Sequence, residues 1–215
     1  LSGTITFSHF KLRCAVAVTL ETENMAYSAF ETTLVNNVVE AMAKALEKAI
    51  ISGTGVGQPT GILKEDAKGT KIEVSKIDYK TLVNAEAELP MEYESGAVWC
   101  MTKKTFMAFI GMTDTNGQPI ARVNYRVGGK AERSLLGRTV VLTNYLENFS
   151  DTLEAGKTFA FLYNFADYTL NTNFQIGIKT YEDNDTDDII RKMIMVCDGK
   201  PIIYDSLVKL VKAGE

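Results

Sequence analysis

The chain has 215 residues, enough for one large domain or two small ones with a buried core. Its composition, 46% apolar and 23% charged, is that of a globular protein and excludes global disorder. The formal net charge of −4 argues against a protein whose main task is to grip nucleic acid through a basic face. No apolar run approaches the roughly 18–20 residues of a membrane span, so we expect neither a span nor a signal peptide.

The residue types that build catalytic and metal sites are sparse. Cys14, Cys100 and Cys197 lie far apart without a CxxC pair, which predicts reduced, buried thiols in a cytosolic compartment. His9 is the one histidine, so a zinc site is not expected and a catalytic triad would have to use it. We therefore predict no catalytic, metal-binding or cofactor-binding residues.

Within the first fifty residues the spacing of apolar side chains changes once. Residues 5–20 partly alternate between apolar and polar side chains, which predicts one or two strands. Over residues 23–51 the apolar positions recur every three or four places, which predicts an amphipathic helix of about seven turns. At ~1.5 Å per residue this helix is roughly 40 Å long, the length of a spine across a domain. Glu40 and Lys44 are four apart in the order that stabilises a helix slightly.

A glycine-rich stretch, GTGVGQPTG, follows this helix, and we call it the glycine joint. It contains Gly53, Gly55, Gly57, Pro59 and Gly61. A phosphate-binding loop would follow a strand and carry Lys-Ser or Lys-Thr, or a glycine in place of Gln58. We therefore predict a helix stop with Gly53 in the left-handed conformation, then a tight turn and a proline-fixed exit. A nucleotide-dependent enzyme that uses this stretch is the alternative.

The rest of the chain predicts a mixture of helices and strands. Ser75 is expected to cap a helix that ends near Leu89, and Thr102 is expected to cap one that ends near Ile110. We predict strands at 96–101, 138–144, 157–171 and 174–181. Asp198-Gly199 predicts the turn of a β-hairpin within 191–204. The glutamates Glu86, Glu88, Glu92 and Glu94 predict a polar surface.

An acidic loop at 182–188, EDNDTDD, is the first candidate contact surface. Asp183, Asp185 and Asp187 alternate as in calcium loops, but an EF-hand would need glycine and glutamate where Asp188 and Ile194 stand. We therefore predict a solvated loop between two strands. Its repelling carboxylates would be helped by a basic partner, such as Arg191 and Lys192 or a neighbouring chain.

A basic stretch at 122–138 is the second candidate contact surface. Its basic residues are Arg122, Arg126, Lys130, Arg133 and Arg138, against the single acid Glu132. Such a segment with Tyr125 could touch RNA or DNA. The interpretation we prefer is an exposed loop that pairs with an acidic neighbour.

The order of these motifs resembles the major capsid protein of tailed bacteriophages, which has the Hong Kong 97 fold. The series runs from GTGVGQPTGIL through VWCMTKKTFMAFIGMTDTNGQPI, SLLGRTVVLTN and FLYNFADYTL to the acidic loop and its hairpin. Each motif alone is weak, but together they cover nearly the whole chain. The resemblance implies an α+β shell subunit with a long spine helix. Residues 1–60 and 171–215 would form a peripheral domain, and 61–170 an axial domain.

The resemblance also implies partners and a location. Copies of the chain would form hexamers and pentamers of an icosahedral head, which holds double-stranded DNA without sequence specificity. A scaffold, a maturation protease and a portal are expected partners, and a membrane is not. The protein would lie in the virion capsid and, during assembly, in the cytoplasm of the host bacterium. The acidic loop would lie near a contact between capsomers, and the basic stretch would belong to the axial domain.

One departure from the family concerns the N-terminal side. About 22 residues precede the helix, so we expect an N-terminal arm and much of an extended loop to be absent. A chain truncated in this way is expected to be monomeric or weakly associated on its own. A bacterial nanocompartment shell of the same fold, which encloses an enzyme instead of a genome, is the alternative within the family.

Overall fold

The structure, a computed structural model, describes residues 5–18, 27–65, 67–113, 124–125, 131–186 and 188–214. It divides into two compact units. The first unit contains Leu1–Lys64 and Thr169–Pro201, and the second contains Glu65–Tyr168 and Ile202–Glu215. Helices and strands occur in both, so the prediction of a mixed α and β chain is confirmed.

The elements follow in chain order. They are β1 (Phe10–Val18), α1 (Tyr27–Ser52), β2 (Thr70–Val74), α2 (Tyr79–Ala87), β3 (Ala97–Met101), α3 (Lys103–Ile110), β4 (Asn124–Tyr125), β5 (Ala131–Glu132), β6 (Ser134–Leu135), β7 (Arg138–Leu142), β8 (Thr158–Asn164), β9 (Tyr168–Glu182), β10 (Ile189–Pro201) and β11 (Val208–Lys212). Two short 3₁₀ helices cover Met91–Tyr93 and Phe165–Asp167.

The first unit packs helix α1 on a three-stranded sheet of order β1-β10-β9. β1 runs antiparallel to β10, in register from Phe10 opposite Cys197 to Val18 opposite Ile189. Val38 and Met42 of α1 lie four apart on one face and are buried against Met193 of β10. The apolar period of the sequence therefore positions the helix on the sheet.

Helix α1 confirms the predicted spine helix over the described residues. It has 26 residues and is thus about 39 Å long at ~1.5 Å per residue. On its exposed side Lys44 Nζ lies 2.6 Å from a carboxylate oxygen of Glu40, and this hydrogen bond lowers the pKa of Glu40. Residues 23–26 of the prediction lie outside the described residues. No helix in the described ranges has both the length and the apolar character of a membrane-crossing segment.

The second unit has a six-stranded sheet of order β2-β11-β8-β3-β7-β6. Its centre is antiparallel, whereas β2 runs parallel to β11 and β3 runs parallel to β7. The core contains side chains from the sheet, α2 and α3, and those fully buried include Trp99, Phe106, Phe109, Phe159 and Leu162. The predicted strands at 96–101 and 138–144 are β3 and β7. Strand β2 was not predicted, since it pairs with a segment about 138 residues later.

Helices α2 and α3 test the two N-caps that the sequence predicted. Thr102 does cap α3, because its hydroxyl accepts a hydrogen bond from the N–H of Thr105. Ser75 does not cap α2, so that prediction is wrong. The cap is Asp78, whose carboxylate accepts hydrogen bonds from the N–H of Thr81 at 2.7 Å and from its hydroxyl at 2.8 Å. These bonds hold the pKa of Asp78 below its usual value.

The predicted hairpin turn at Asp198-Gly199 is also wrong, because both residues lie inside the continuous strand β10. The Asp198 side chain is 1% exposed, and its carboxylate accepts hydrogen bonds from the N–H groups of Gly199 and Ser8. A dipeptide that favours a turn is here held extended by tertiary contacts. The strand connection lies at the acidic loop, between β9 and β10.

The compact units differ from the predicted domain ranges at the C-terminal end. The prediction placed 171–215 together, whereas residues 202–215 belong to the second unit. The reason is strand β11, which lies between β2 and β8 inside the six-stranded sheet. The identity of the units as peripheral and axial domains stays a prediction.

Candidate assembly surfaces and the glycine joint

The glycine joint folds back on the last turn of α1. The N–H of Gly53 donates to the carbonyl of Ala49 at 2.8 Å, which closes the helix. The N–H of Gly61 then donates to the carbonyl of Gly53 at 2.9 Å, and that of Ile62 donates to the carbonyl of Ile50 at 2.8 Å. The returning chain thereby satisfies carbonyls that a helix end leaves unpaired.

Close backbone approach explains why glycine stands at both ends of the joint. A Cβ at Gly53 would lie 2.2 Å from the carbonyl oxygen of Pro59 and 2.4 Å from that of Ala49. A Cβ at Gly61 would lie 2.4 Å from the backbone nitrogen of Gly53. Gly53 is not among the residues with positive φ, so the predicted left-handed conformation is wrong there. Space, and not backbone angle, requires this glycine.

The tip of the joint is the tight turn that the sequence predicted. Gly55 and Gly57 have φ values of 74° and 70°, the left-handed region that favours glycine. A bridge between Thr54 and Thr60 closes the turn. Val56, between the two glycines, has 82% of its surface exposed. The joint therefore presents one apolar side chain on a backbone that is fixed on both sides.

The geometry of the joint does not favour nucleotide binding. A phosphate cradle directs several free backbone N–H groups at the anion. In the joint the N–H groups of Gly53, Gly55 and Gly61 donate to carbonyls of the chain itself. A neighbouring cavity of about 210 Å³ is lined mainly by apolar side chains of β1 and α1, with Pro59 and Cys197. These three N–H groups are therefore not free to bind an anion, and the role of the joint as a structural connection stays a prediction.

The acidic loop is a turn with internal hydrogen bonds. The N–H of Asp183 donates to the carbonyl of Asp188 at 2.8 Å, and the N–H of Asp185 donates to the carboxylate of Asp183 at 3.1 Å. Asp185 is exposed and Asp183 is half-buried, while Asp187 lies outside the described residues. No set of three or more candidate metal ligands occurs in the part of the chain that the structure describes. Arg191 lies on β10 opposite Val16, three residues after the loop.

The basic stretch is described in part. Arg122, Arg126 and Lys130 lie outside the described residues, and Arg133 is half-buried between β5 and β6.

Arg138 is part of an ion pair that the sequence did not predict. Its Nε lies 2.7 Å from a carboxylate oxygen of Glu86, and its guanidinium also donates to the carbonyl of Glu94. The side chains of Arg138 and Glu86 are 13% and 21% exposed. The charge of Arg138 is thus compensated inside the second unit. The two residues are 52 positions apart, and no local pattern links them.

The structure also shows where the histidine and the three cysteines lie. His9 is exposed, while Cys100 and Cys197 are buried and Cys14 is half-buried. All three cysteines are free thiols. Burial raises the pKa of Cys197, and the charge of Asp198 raises it further, which disfavours the reactive thiolate.

Comparison with known proteins gives a family. A model described as the phage capsid family matches residues 2–212, nearly the whole chain. No curated protein matches the chain.

Several solved structures share the fold. The capsid of an empty GTA particle has a TM-score of 0.81 at 19% identity, covering 100% of this chain and 78% of that one. Gordonia phage Cozz gives 0.69 at 13% identity, covering 97% and 71%. The holo-SrpI encapsulin complex of Synechococcus elongatus PCC 7942 gives 0.70 at 12% identity, covering 95% and 74%. At identities this low the likeness shows the fold alone.

Proposed function

Because the chain belongs to the phage capsid family, we propose that its copies form the hexamers and pentamers of an icosahedral phage or prophage head. The chain is a structural shell subunit of the Hong Kong 97 type and not an enzyme. The observation that carries the proposal is the family match over residues 2–212, which extends across both compact units. Identical subunits close such a shell by burying complementary surfaces.

We assign the first unit to the peripheral domain and the second to the axial domain. The long helix α1, expected of a peripheral domain, lies in the first unit with the glycine joint. The joint supports the assignment, because its close backbone contacts fix the exit of the chain from the helix.

The acidic loop and the basic stretch are our candidate contacts between subunits. Asp183 and Asp185 stand on one short turn, and the sequence adds Asp187; a basic surface of a neighbouring copy would relieve the repulsion of these carboxylates. Arg191, three residues after the loop on β10, is a further candidate. In the basic stretch the candidates are Arg122, Arg126, Lys130 and Arg133. Arg138 is excluded because Glu86 already compensates its charge.

The enclosed cargo is double-stranded DNA bound without sequence specificity. The net charge of −4 supports confinement inside a closed shell over capture by a basic face. The protein would accordingly lie in the virion capsid and assemble in the cytoplasm of the host bacterium. A scaffold, a maturation protease and a portal remain predicted partners.

Electron microscopy of the protein, purified from bacteria after nuclease treatment, tests this function. Uniform closed shells with nuclease-resistant DNA would support a phage head, and shells that hold a protein instead would support a nanocompartment. Particles absent even at high concentration with a co-expressed scaffold would contradict self-assembly.

A pair of variants tests the acidic loop in the same assay. Asp183→Asn with Asp185→Asn should reduce the yield of shells and leave the circular dichroism spectrum unchanged, since both residues lie on a surface turn. Asp151→Asn, an exposed carboxylate in the second unit, is the matched control and should assemble normally. Full assembly of the double variant would remove the loop from the list of contacts.

The nucleotide alternative has a direct test. Calorimetric titration with ATP and with NAD should give no binding heat, because the N–H groups of Gly53, Gly55 and Gly61 already donate to carbonyls of the chain itself. Saturable heat that disappears in a Gly57→Ala variant would revive that alternative.

A further inference from the structure

Near its C-terminal end, strand β10 contacts residues 5–9, a segment that is not part of any sheet. The pairing of β1 with β10 stops at Phe10 opposite Cys197, and β10 continues through Asp198, Gly199 and Lys200. Residues 5–9 precede β1 and form neither helix nor strand. Phe7 is half-buried, and the other four residues are exposed. We call residues 5–9 the strap.

Two side chains of β10 bind the strap. The carboxylate of Asp198, which is 1% exposed, accepts a hydrogen bond from the N–H of Ser8 at 2.5 Å. The ammonium group of Lys200 donates to the carbonyl of Thr6 at 2.5 Å and lies 6.0 Å from the centre of the Phe7 ring. Residues two apart on a strand point to the same face, so both charges meet the strap on one side.

The residue between them binds the glycine joint. The carbonyl of Gly199 accepts a hydrogen bond from the N–H of Thr60 at 2.8 Å. Asp198 also accepts from the N–H of Gly199 at 2.8 Å, which holds the strand extended at this point. Three consecutive residues of β10 therefore connect the sheet, the strap and the exit of helix α1.

We propose that Asp198, Gly199 and Lys200 form a clip that holds the strap closed, and that the strap opens locally while the sheet and helix α1 stay folded. The device goes beyond shell formation, since it is a property of one subunit. Its hydrogen bonds to the strap involve charged side chains, which makes the closed state specific. Because the strap lies outside the ladder and is largely exposed, its opening disturbs few packed groups.

Opening of the strap changes which groups of the first unit are exposed to solvent. Ser8 and His9 of the strap line a cavity of about 490 Å³ together with Asn171, Thr172 and Cys197. When the strap leaves, this cavity widens, and the carboxylate of Asp198 becomes accessible.

Native-state hydrogen exchange on residues 1–215 tests the clip. The Ser8 amide should exchange through an opening that does not depend on low urea concentrations, whereas amides inside the β1–β10 ladder should follow global unfolding. Lys200→Met should speed the exchange of Ser8 by about tenfold or more, the effect of losing a charge-assisted hydrogen bond. Lys192→Met, on the same strand opposite Ala15, is the matched control and should leave Ser8 unchanged.

Thiol labelling gives a second measurement. Cys197 lies on the face of β10 on which Met193 packs against helix α1, so in Lys200→Met its labelling should stay slow while Ser8 exchange accelerates, as expected if the sheet and α1 remain folded. Asp198→Asn should open the strap too, but it also lowers the pKa of Cys197, so its labelling rate is interpreted after Lys200→Met. Ser8 exchange that tracks global unfolding, or that Lys200→Met leaves unchanged, would overturn the proposal. These results do not depend on whether shells form.

Discussion

Replacing Gly53 by alanine should weaken the first unit far more than replacing Gly57. At Gly53 the new Cβ would meet two backbone oxygens at 2.2 and 2.4 Å, and backbone atoms cannot rotate away as a side chain does. Relief requires a shift of the last helical turn or of the returning chain. Overpacking of this kind costs roughly 1–3 kcal/mol and occasionally more, and with two backbone contacts we expect about 3 kcal/mol.

Gly57 gives the matched control, because a Cβ there meets nothing within 4 Å and only its φ of +70° opposes alanine. The left-handed conformation alone costs about 1–2 kcal/mol. Urea unfolding followed by far-ultraviolet circular dichroism measures both variants. With a slope of about 2 kcal/mol per molar, the midpoint should fall by about 1.5 M for Gly53→Ala and by roughly 0.5–1 M for Gly57→Ala. Equal shifts, or a larger shift for Gly57→Ala, would refute the steric argument.

Three further predictions concern the second unit. Arg138→Met should cost about 2 kcal/mol in urea unfolding, because it leaves the Glu86 carboxylate, 21% exposed, without this cation. Thr102→Ala should lower the free energy of unfolding by about 1–2 kcal/mol, since α3 loses its cap and Asn148 loses a hydrogen bond of 2.8 Å. Thr102→Ser keeps the hydroxyl and should retain most of that stability. Burial raises the pKa of Tyr163 above its usual value of about 10, so the neutral phenol stabilises the fold below that pH and the stability is lost as the pH rises further. Between pH 9 and 11 the urea midpoint should fall less in Tyr163→Phe than in the unchanged protein. An equal fall in both would show that other groups cause the loss of stability.

Local patterns predicted the elements whose formation depends on neighbours in the chain. Helix α1 follows from apolar residues that recur every three or four places, and α3 begins at Thr102 because a threonine hydroxyl reaches an N–H three residues on. The turn at Gly55 and Gly57 follows from the same short-range logic, since two closely spaced glycines permit left-handed backbone. The order of the motifs predicted the family, which the match over residues 2–212 confirms.

The predictions that failed at Asp198-Gly199 and at Gly53 depended on contacts made by the folded chain, in one case with a distant residue and in the other with nearby backbone oxygens. Asp198-Gly199 favours a turn locally, yet Ser8, 190 positions earlier, donates to the Asp198 carboxylate within a strand. Gly53 is required by the carbonyl oxygens that crowd it, which its own backbone preference does not reveal.

The sequence by itself thus determined where α1 and the glycine turn lie, which residue caps α3, and which family the motifs indicate. Only the tertiary structure decided that Glu86 holds Arg138, that β2 joins β11, and that Asp198 and Lys200 bind the strap. The physical reason is the separation in sequence between the groups that interact. Helix periods, caps and glycine turns depend on groups within about four residues, whereas ion pairs and sheet partners depend on which distant segments the folded chain brings together.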